Sequence, residues 1–369
     1  MNLPALPTVR FTRGTLRIID QTALPGRYAV VSLRNLDEVC DAISRLRVRG
    51  APAIGIAGAY GLLIAIEEAW GGRSHVFDSG IGEDGGARES SVRALDGVPA
   101  GDVRARLETA AARIVSTRPT AVNLSWAVAR MRRAWQEEDN TRSLCDRLLA
   151  AADAILREDL DMGRAMTAHG AALLPDGAAV LTHCNTGGLA TGGIGTALGV
   201  VFAASAAGRR LRVFADETRP LLQGARLTAW ECRERGVPVT VLVDGAAASL
   251  LSSGEVTCVM VGADRIARNG DTANKVGTLG LAIAAHRFGV PFYVVAPTSS
   301  IDASMPDGGA IPVEHRAAEE VTRIAGLALA PSTVSAYNPA FDVTPAGLIT
   351  AIVTERGVQR PPFDFGGPA

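Results

Sequence analysis

The sequence predicts an α/β protein of two domains: a mainly helical N-terminal domain with a small β entry (residues 1–143) and a doubly wound parallel-sheet domain (144–369). Two observations carry the second domain. Short β-branched runs at 178–183, 211–215, 237–243, 256–261 and 291–295 alternate with segments of helical length at 195–207, 221–235, 246–251 and 275–288. Those runs are near-continuously apolar, as in strands of a parallel sheet covered on both faces. The first domain rests on apolar positions that recur at helical spacing up to residue 174. A chain of 369 residues is also about the length of two ordinary domains.

Taken in order, residues 9–13, 15–21 and 28–33 read as strands, separated by Gly14 and by Pro25-Gly26. Residues 36–47 form an amphipathic helix, with Leu36, Val39, Ile43 and Leu46 on one face. Arg49-Gly50-Ala51-Pro52 is a turn ahead of an apolar helix, which is too short to span a bilayer and ends at Glu67 and Glu68. Residues 71–102 are rich in Gly, Ser, Asp and Glu, show no periodicity and read as a flexible surface insertion. Helices resume at 103–115, at 121–137 with Thr120 as N-cap, and at 141–174. A last helix is expected at 345–354, followed by a loose Pro/Gly-rich tail.

A formal net charge of -1 gives no electrostatic footprint for nucleic acid or an anionic membrane. The first ten residues show no apolar leader, and the five scattered cysteines fit reduced thiols in a cytoplasmic protein better than a disulfide or zinc framework. The five histidines have no metal-ligand spacing, so no metal is expected.

In a doubly wound sheet, ligands bind beyond the carboxyl ends of the strands. The predicted ends are unusually polar: His183-Cys184-Asn185, Asp216-Glu217-Thr218-Arg219, Asp244 and Asp264-Arg265. Cys184 is either a thiolate favoured by neighbouring amides or a small buried apolar residue. Asp264 is either a poorly solvated carboxyl able to donate a proton, or a cap or salt-bridge partner. The glycines from 187 to 195 suit close approach of amides to a phosphate, or simply a tight connection, and match no dinucleotide or Walker spacing. Arg49 ahead of a helix could face an anion, though a turn with a surface arginine is the simpler local reading. Of 37 basic residues only Lys275 is a lysine. A compact ammonium serves a tight phosphate site as a point charge, which a planar guanidinium does not.

Seven blocks carry a family resemblance: RGAPAIG (49–55), STRPTAVNL (116–124), THCN (182–185), GTALGV (195–200), ADETRPLLQGARLTAWE (215–231), VGADRIARNGDTANKVGT (261–278) and YNPAFDVTP (337–345). Together they resemble the methylthioribose-1-phosphate isomerases. That family is similar in fold to the regulatory subunits of initiation factor 2B and to archaeal ribose-1,5-bisphosphate isomerase. The resemblance runs from about residue 10 to 362 and omits 71–102. It implies a Rossmann-like C-terminal domain, a homodimer, no cofactor and no metal. It implies Cys184 and Asp264 as the catalytic pair. It implies that Arg49, Gly50, Ala51, Arg118, Gln223, Asn274 and Lys275 hold the substrate, mainly its phosphate.

The chain departs from the family pattern at Gly187, Gly188 and Gly192-Gly193-Ile194, and in having His315 where a carboxylate is expected. These changes bear on the pocket near the sugar's 5-substituent. They keep a related isomerase in play, acting on 5-deoxyribose 1-phosphate or, with no second basic cluster to support it, ribose 1,5-bisphosphate. A non-catalytic sugar-phosphate-binding regulatory subunit is the alternative of a different class, and it has no need of Cys184 and Asp264. A dehydrogenase fits the fold class but lacks the dinucleotide fingerprint.

Overall fold

The computed structural model describes residues 5–366 apart from 73, 83, 120, 137, 325 and 332. It falls into two compact units: one runs up to Met162 and takes in Gly188–Gly195, and the other comprises Gly163–Gly187 and the chain from Thr196 onward.

The N-terminal unit opens with an antiparallel sheet of β1 (Val9–Thr12), β2 (Thr15–Ile19) and β3 (Val30–Leu33). Five helices follow: α1 (Leu36–Ser44), α2 (Ala51–Trp70), α3 (Ala100–Thr117), α4 (Val122–Trp135) and α5 (Thr141–Ala171), the last of which carries the chain into the second unit. Asn35 caps α1 by accepting the Glu38 amide at 2.8 Å. The cap expected at Thr120 lies outside the described residues; the residue at the start of α4 is Ala121, whose side chain caps nothing. α2 is apolar on all sides and packs against α1, α3 and α4. It is long and apolar enough to cross a membrane, yet 83% of its most apolar window is buried inside the molecule, which marks a core helix.

Residues 71–102 are not the loose insertion that their composition suggests. β4 (Phe77–Asp78) and β5 (Ser91–Val92) pair, and Val76, Phe77, Ser79 and Ile81 are buried. Two helical carboxylates anchor the segment. Glu67 accepts the amides of Val76 and Phe77 at 2.9 and 2.7 Å. Asp153 accepts the Ser79 hydroxyl and the Gly80 amide at 2.7 Å each, and the Tyr60 hydroxyl at 2.8 Å. Hydrophobic periodicity cannot register anchoring by polar groups distant in sequence.

The second unit is built on a seven-stranded sheet of β6 (Ala179–Thr182), β7 (Arg212–Asp216), β8 (Val239–Leu242), β9 (Cys258–Val261), β12 (Phe292–Val295), β17 (Ala351–Thr354) and β18 (Gly357–Gln359). Spatially the order is β8-β7-β6-β9-β12-β17-β18, parallel except for β18. The chain therefore builds outward from β6 to β8, then restarts on the other side of β6 with β9, so the strand order reverses between β6 and β9. α6 (Ala197–Ala206), α7 (Ala229–Glu234), α8 (Ala247–Ser252) and α9 (Thr278–Arg287) connect strands. Leu181, Val259, Val261, Phe292 and Val294 form one core with Leu251 of α8 and Leu281 and Ala285 of α9. A second sheet has the order β13 (Ile301–Asp302), β10 (Arg265–Ala267), β11 (Thr272–Lys275) and β16 (Phe341–Thr344). Beyond β13 lie the short α10 (Glu319–Thr322) and a hairpin of β14 (Arg323–Ile324) and β15 (Leu327–Ala328).

Three predicted helices change. Asn274 and Lys275 end β11, pairing with Asp342 and Phe341 of β16, and α9 starts only after Gly277. The segment 345–354 is a short turn followed by β17, because its β-branched run completes the sheet beside β12. Residues Gly224–Thr228 form a π-helical turn ahead of α7.

Candidate active site

β6 and β9 are neighbours, paired at Leu181 and Val259. Beyond β6 come His183, Cys184 and Asn185; beyond β9 come Gly262, Ala263 and Asp264. Cys184 and Asp264 thus follow the two strands that flank the reversal of strand order, where an open α/β sheet has its crevice. The Asp264 amide donates to the Ala273 carbonyl at 2.9 Å, which ties this end to the hairpin carrying Asn274 and Lys275. Asn274 is buried and donates through Nδ2 to Thr278 Oγ1 at 3.0 Å. Lys275 Nζ donates to the Ala340 carbonyl at 2.6 Å and stands 4.7 Å from the centroid of the Phe341 ring. Gln223, past the end of β7, is buried, and its Oε1 has no hydrogen-bond partner among the described residues.

Cys184 is a free thiol in the left-handed region at φ 65°, an uncommon conformation for a residue with a side chain. Neighbouring residues hold it at both backbone ends. Its N–H donates to Thr218 Oγ1 at 2.9 Å, and its carbonyl accepts the Thr228 hydroxyl at 2.8 Å. Thr218 is itself left-handed, and its amide and that of Arg219 donate to the two Asp244 oxygens at 2.7 Å each. Asn185 donates to Thr228 Oγ1 and to the buried Glu231 at 3.2 and 2.8 Å. Among the other four thiols, burial pushes Cys145, Cys232 and Cys258 up to about 12 and raises Cys40 as well.

His183, Asp216 and Asp244 gather their potential ligand atoms within 4.8 Å of one another. Most of these atoms have protein partners: His183 uses both ring nitrogens, on Asp216 Oδ2 and the Val276 carbonyl, and Asp244 uses both oxygens on amides, while the buried Asp216 Oδ1 has no hydrogen-bond partner among the described residues.

The remaining predicted binding residues lie in the N-terminal unit. Arg49, Gly50 and Ala51 stand at the start of α2. Gly50 has φ 93°, and a Cβ there would come within 2.4 Å of the Ala190 carbonyl oxygen, so only glycine fits. Arg118 ends α3, between Ile114, which meets Gly58, and Asn123, whose carbonyl oxygen meets Gly55. It therefore lies beside the first turns of α2. Within the glycine-rich segment the amide of Gly192 donates to Asp159 at 2.6 Å, and those of Gly193 and Gly195 donate to Thr191 Oγ1 at 3.1 and 2.9 Å, so these three amides are engaged within the protein.

The polar strand ends were visible in the sequence as a set. Asp342, which accepts the amides of Gly277 and Leu279 at 2.7 and 3.1 Å, and Glu231 were not, because nothing local distinguishes them from surface carboxylates.

The domain is doubly wound, with a cysteine and an aspartate at its switch point and a lysine, an asparagine and a glutamine on adjoining segments. The profile of the Initiation factor 2 subunit family matches residues 47–361, and the chain belongs to that family. It is 49% identical over 362 residues to the methylthioribose-1-phosphate isomerase of Pelotomaculum thermopropionicum, covering 97% of this chain and 92% of that one. It is 47% identical over 352 residues to the 5-deoxyribose 1-phosphate isomerase of Moorella thermoacetica, covering 95% and 93%. Among solved structures, the 5-methylthioribose 1-phosphate isomerase of Pyrococcus horikoshii superposes with a TM-score of 0.84 at 39% identity, covering 98% of this chain and 94% of that one. The delta subunit of translation initiation factor eIF-2B from A. fulgidus gives 0.81 at 39%, covering 97% and 96%.

Proposed function

We propose that this chain is an aldose–ketose isomerase that converts 5-methylthioribose 1-phosphate into 5-methylthioribulose 1-phosphate, a step of methionine salvage. The observation that carries the reading is its near-half identity to isomerases of that name along almost the whole chain. The phosphate on C1 keeps the sugar cyclic and denies it a free aldehyde, so the ring must open with the phosphate attached. Asp264 protonates the ring oxygen as the C1–O bond breaks. Cys184 acts at C2: it takes either the C2 proton, which returns at C1, or the 2-hydroxyl proton as hydride moves from C2 to C1. In both routes C1 is reduced and C2 oxidised within one molecule. Deuterium at C1 of product formed in D2O, taken up by exchange on the thiol before delivery, marks the first route.

Lys275, Asn274 and Gln223 are assigned to substrate binding, as are Arg49, Gly50, Ala51 and Arg118, whose cations and helix-start amides suit a phosphate. The test is turnover of 5-methylthioribose 1-phosphate followed by NMR, beside Cys184→Ser and Asp264→Asn. Each variant should lose about a hundredfold or more in kcat with little change in KM. Near-normal kcat in both sinks the assignment. The Moorella relative favours a second reading, 5-deoxyribose 1-phosphate as the preferred substrate, and the ratio of kcat/KM for the two sugars decides it. Binding without turnover of either would support a regulatory subunit instead. A cytoplasmic homodimer completes the proposal; light scattering of the purified protein reads its mass directly.

A further inference from the structure

We infer that His183 is a positioning residue for this reaction: it ties the turn carrying Cys184 to the turn that follows Lys275, and so fixes the thiol and the ammonium with one buried ring. The inference rests on the isomerase reading of the same site. His183 directly precedes Cys184 and is 1% exposed. Its Nδ1 faces Asp216 Oδ2 at 2.9 Å, and its Nε2 faces the Val276 carbonyl at 2.8 Å. A carbonyl can only accept, so Nε2 carries a hydrogen, and Nδ1 faces the Asp216 carboxyl, whose own pKa burial raises as well. Val276 is the residue between Lys275 and Gly277. Gly277 has φ 107°, and a Cβ on it would come within 2.7 Å of the His183 Cε1, so the ring lies flush against that backbone.

The carboxylates around the ring come from separate elements: Asp216 on β7, Asp244 beyond β8, and Asp342 on β16. Burial alone would lower the histidine's pKa, but its hydrogen bond to Asp216 and the charges of Asp216 and Asp244 raise it above the ordinary value. Asp216 also reaches the thiol's turn through its own backbone, since the Asp216 carbonyl accepts the Thr218 hydroxyl at 3.0 Å and Thr218 Oγ1 accepts the Cys184 amide. A left-handed residue with a Cβ is strained and persists only where its surroundings fix it. Here the ring anchors Asp216, Asp216 and Asp244 anchor Thr218, and Thr218 anchors Cys184. Neither the ring nor Asp216, Asp244 or Thr218 needs to touch substrate.

Two substitutions divide the roles. The amide nitrogen of glutamine reaches about where Nε2 stands, and that of asparagine about where Nδ1 stands. His183→Gln therefore keeps the tie to Val276 and loosens Asp216. We expect kcat to fall by about tenfold or more with KM nearly unchanged, since a misplacement of about an ångström is enough for such a loss. His183→Asn keeps Asp216 and releases Val276, and should raise KM by a similar factor, accompanied by weaker binding of inorganic phosphate in calorimetry. If His183→Gln does not fold, the isosteric Thr218→Val takes its place: it should lower kcat, and Thr218→Ser, which keeps the hydroxyl, should restore it. Variants that only lose melting temperature, with kcat and KM per folded enzyme as in wild type, overturn the inference. So does one common change in both histidine variants. The unmodified enzyme is assayed first. If it turns nothing over, the isomerase reading has failed; if it turns over and the variants match it, the positioning role has failed alone.

Discussion

Lys275 is held between a backbone carbonyl and an aromatic face, a setting that suits a compact ammonium. A guanidinium in its place would spread its donors over a plane and push past the Ala340 carbonyl. Lys275→Arg should therefore raise KM by about tenfold while kcat moves by less, because charge is kept and geometry lost. An unchanged KM would show that the lone lysine is an accident of composition. What the sequence displayed at this scale was chemistry without conformation. Cys184 and Asp264 were legible as polar residues after apolar runs, but nothing in THCN announces a left-handed cysteine or a histidine whose two partners lie 33 and 93 positions away. Long-range hydrogen bonds leave no local period.

At the scale of elements, α5 and the 188–195 segment meet through one buried carboxylate. Asp159 accepts the Gly192 amide at 2.6 Å, and burial raises its pKa to about 6, against the pull of that amide and of Arg10. The raised value means that folding favours the protonated form. The stabilisation is complete below about 3.8 and is lost as pH rises through about 6. The difference from the ordinary carboxyl value is worth roughly 3 kcal/mol. Asp159→Asn is neutral at every pH and keeps an oxygen for the Gly192 amide. It should melt a few degrees higher than wild type at pH 7.5, and the gap should close as the pH falls below about 6. A gap independent of pH would show that the carboxylate is not what strains the native state. Five strands were readable as short apolar runs, including the partly exposed edge strand β8, and their predicted ranges contain the observed ones apart from the single residue Asp216 at the end of β7. β11 was read as a turn leading into a helix at Lys275, and β17 as helix, because a short run says that it is buried, not what it pairs with.

For the molecule as a whole, composition becomes an experimental handle. With one lysine in 369 residues, an amine-acylating reagent has only Lys275 and the chain's amino terminus to modify. Lys275 is partly exposed, so the reagent can reach it. Acylation removes the charge and blocks the donor to Ala340 without touching any of the arginine ion pairs that stud the surface, such as Arg88 with Asp78 or Arg106 with Glu68. Inactivation should therefore track a single modification at residue 275, located by peptide mass mapping, while the melting temperature stays close to that of untreated protein. A saturating sugar 1-phosphate or inorganic phosphate should slow both the modification and the loss of activity, because the ligand's anion would occupy the ammonium. The Lys275→Arg variant, stripped of its one reactive side chain, should keep whatever activity it has under the same treatment. Full acylation at 275 with turnover intact would remove Lys275 from the binding assignment and leave the phosphate to the arginines.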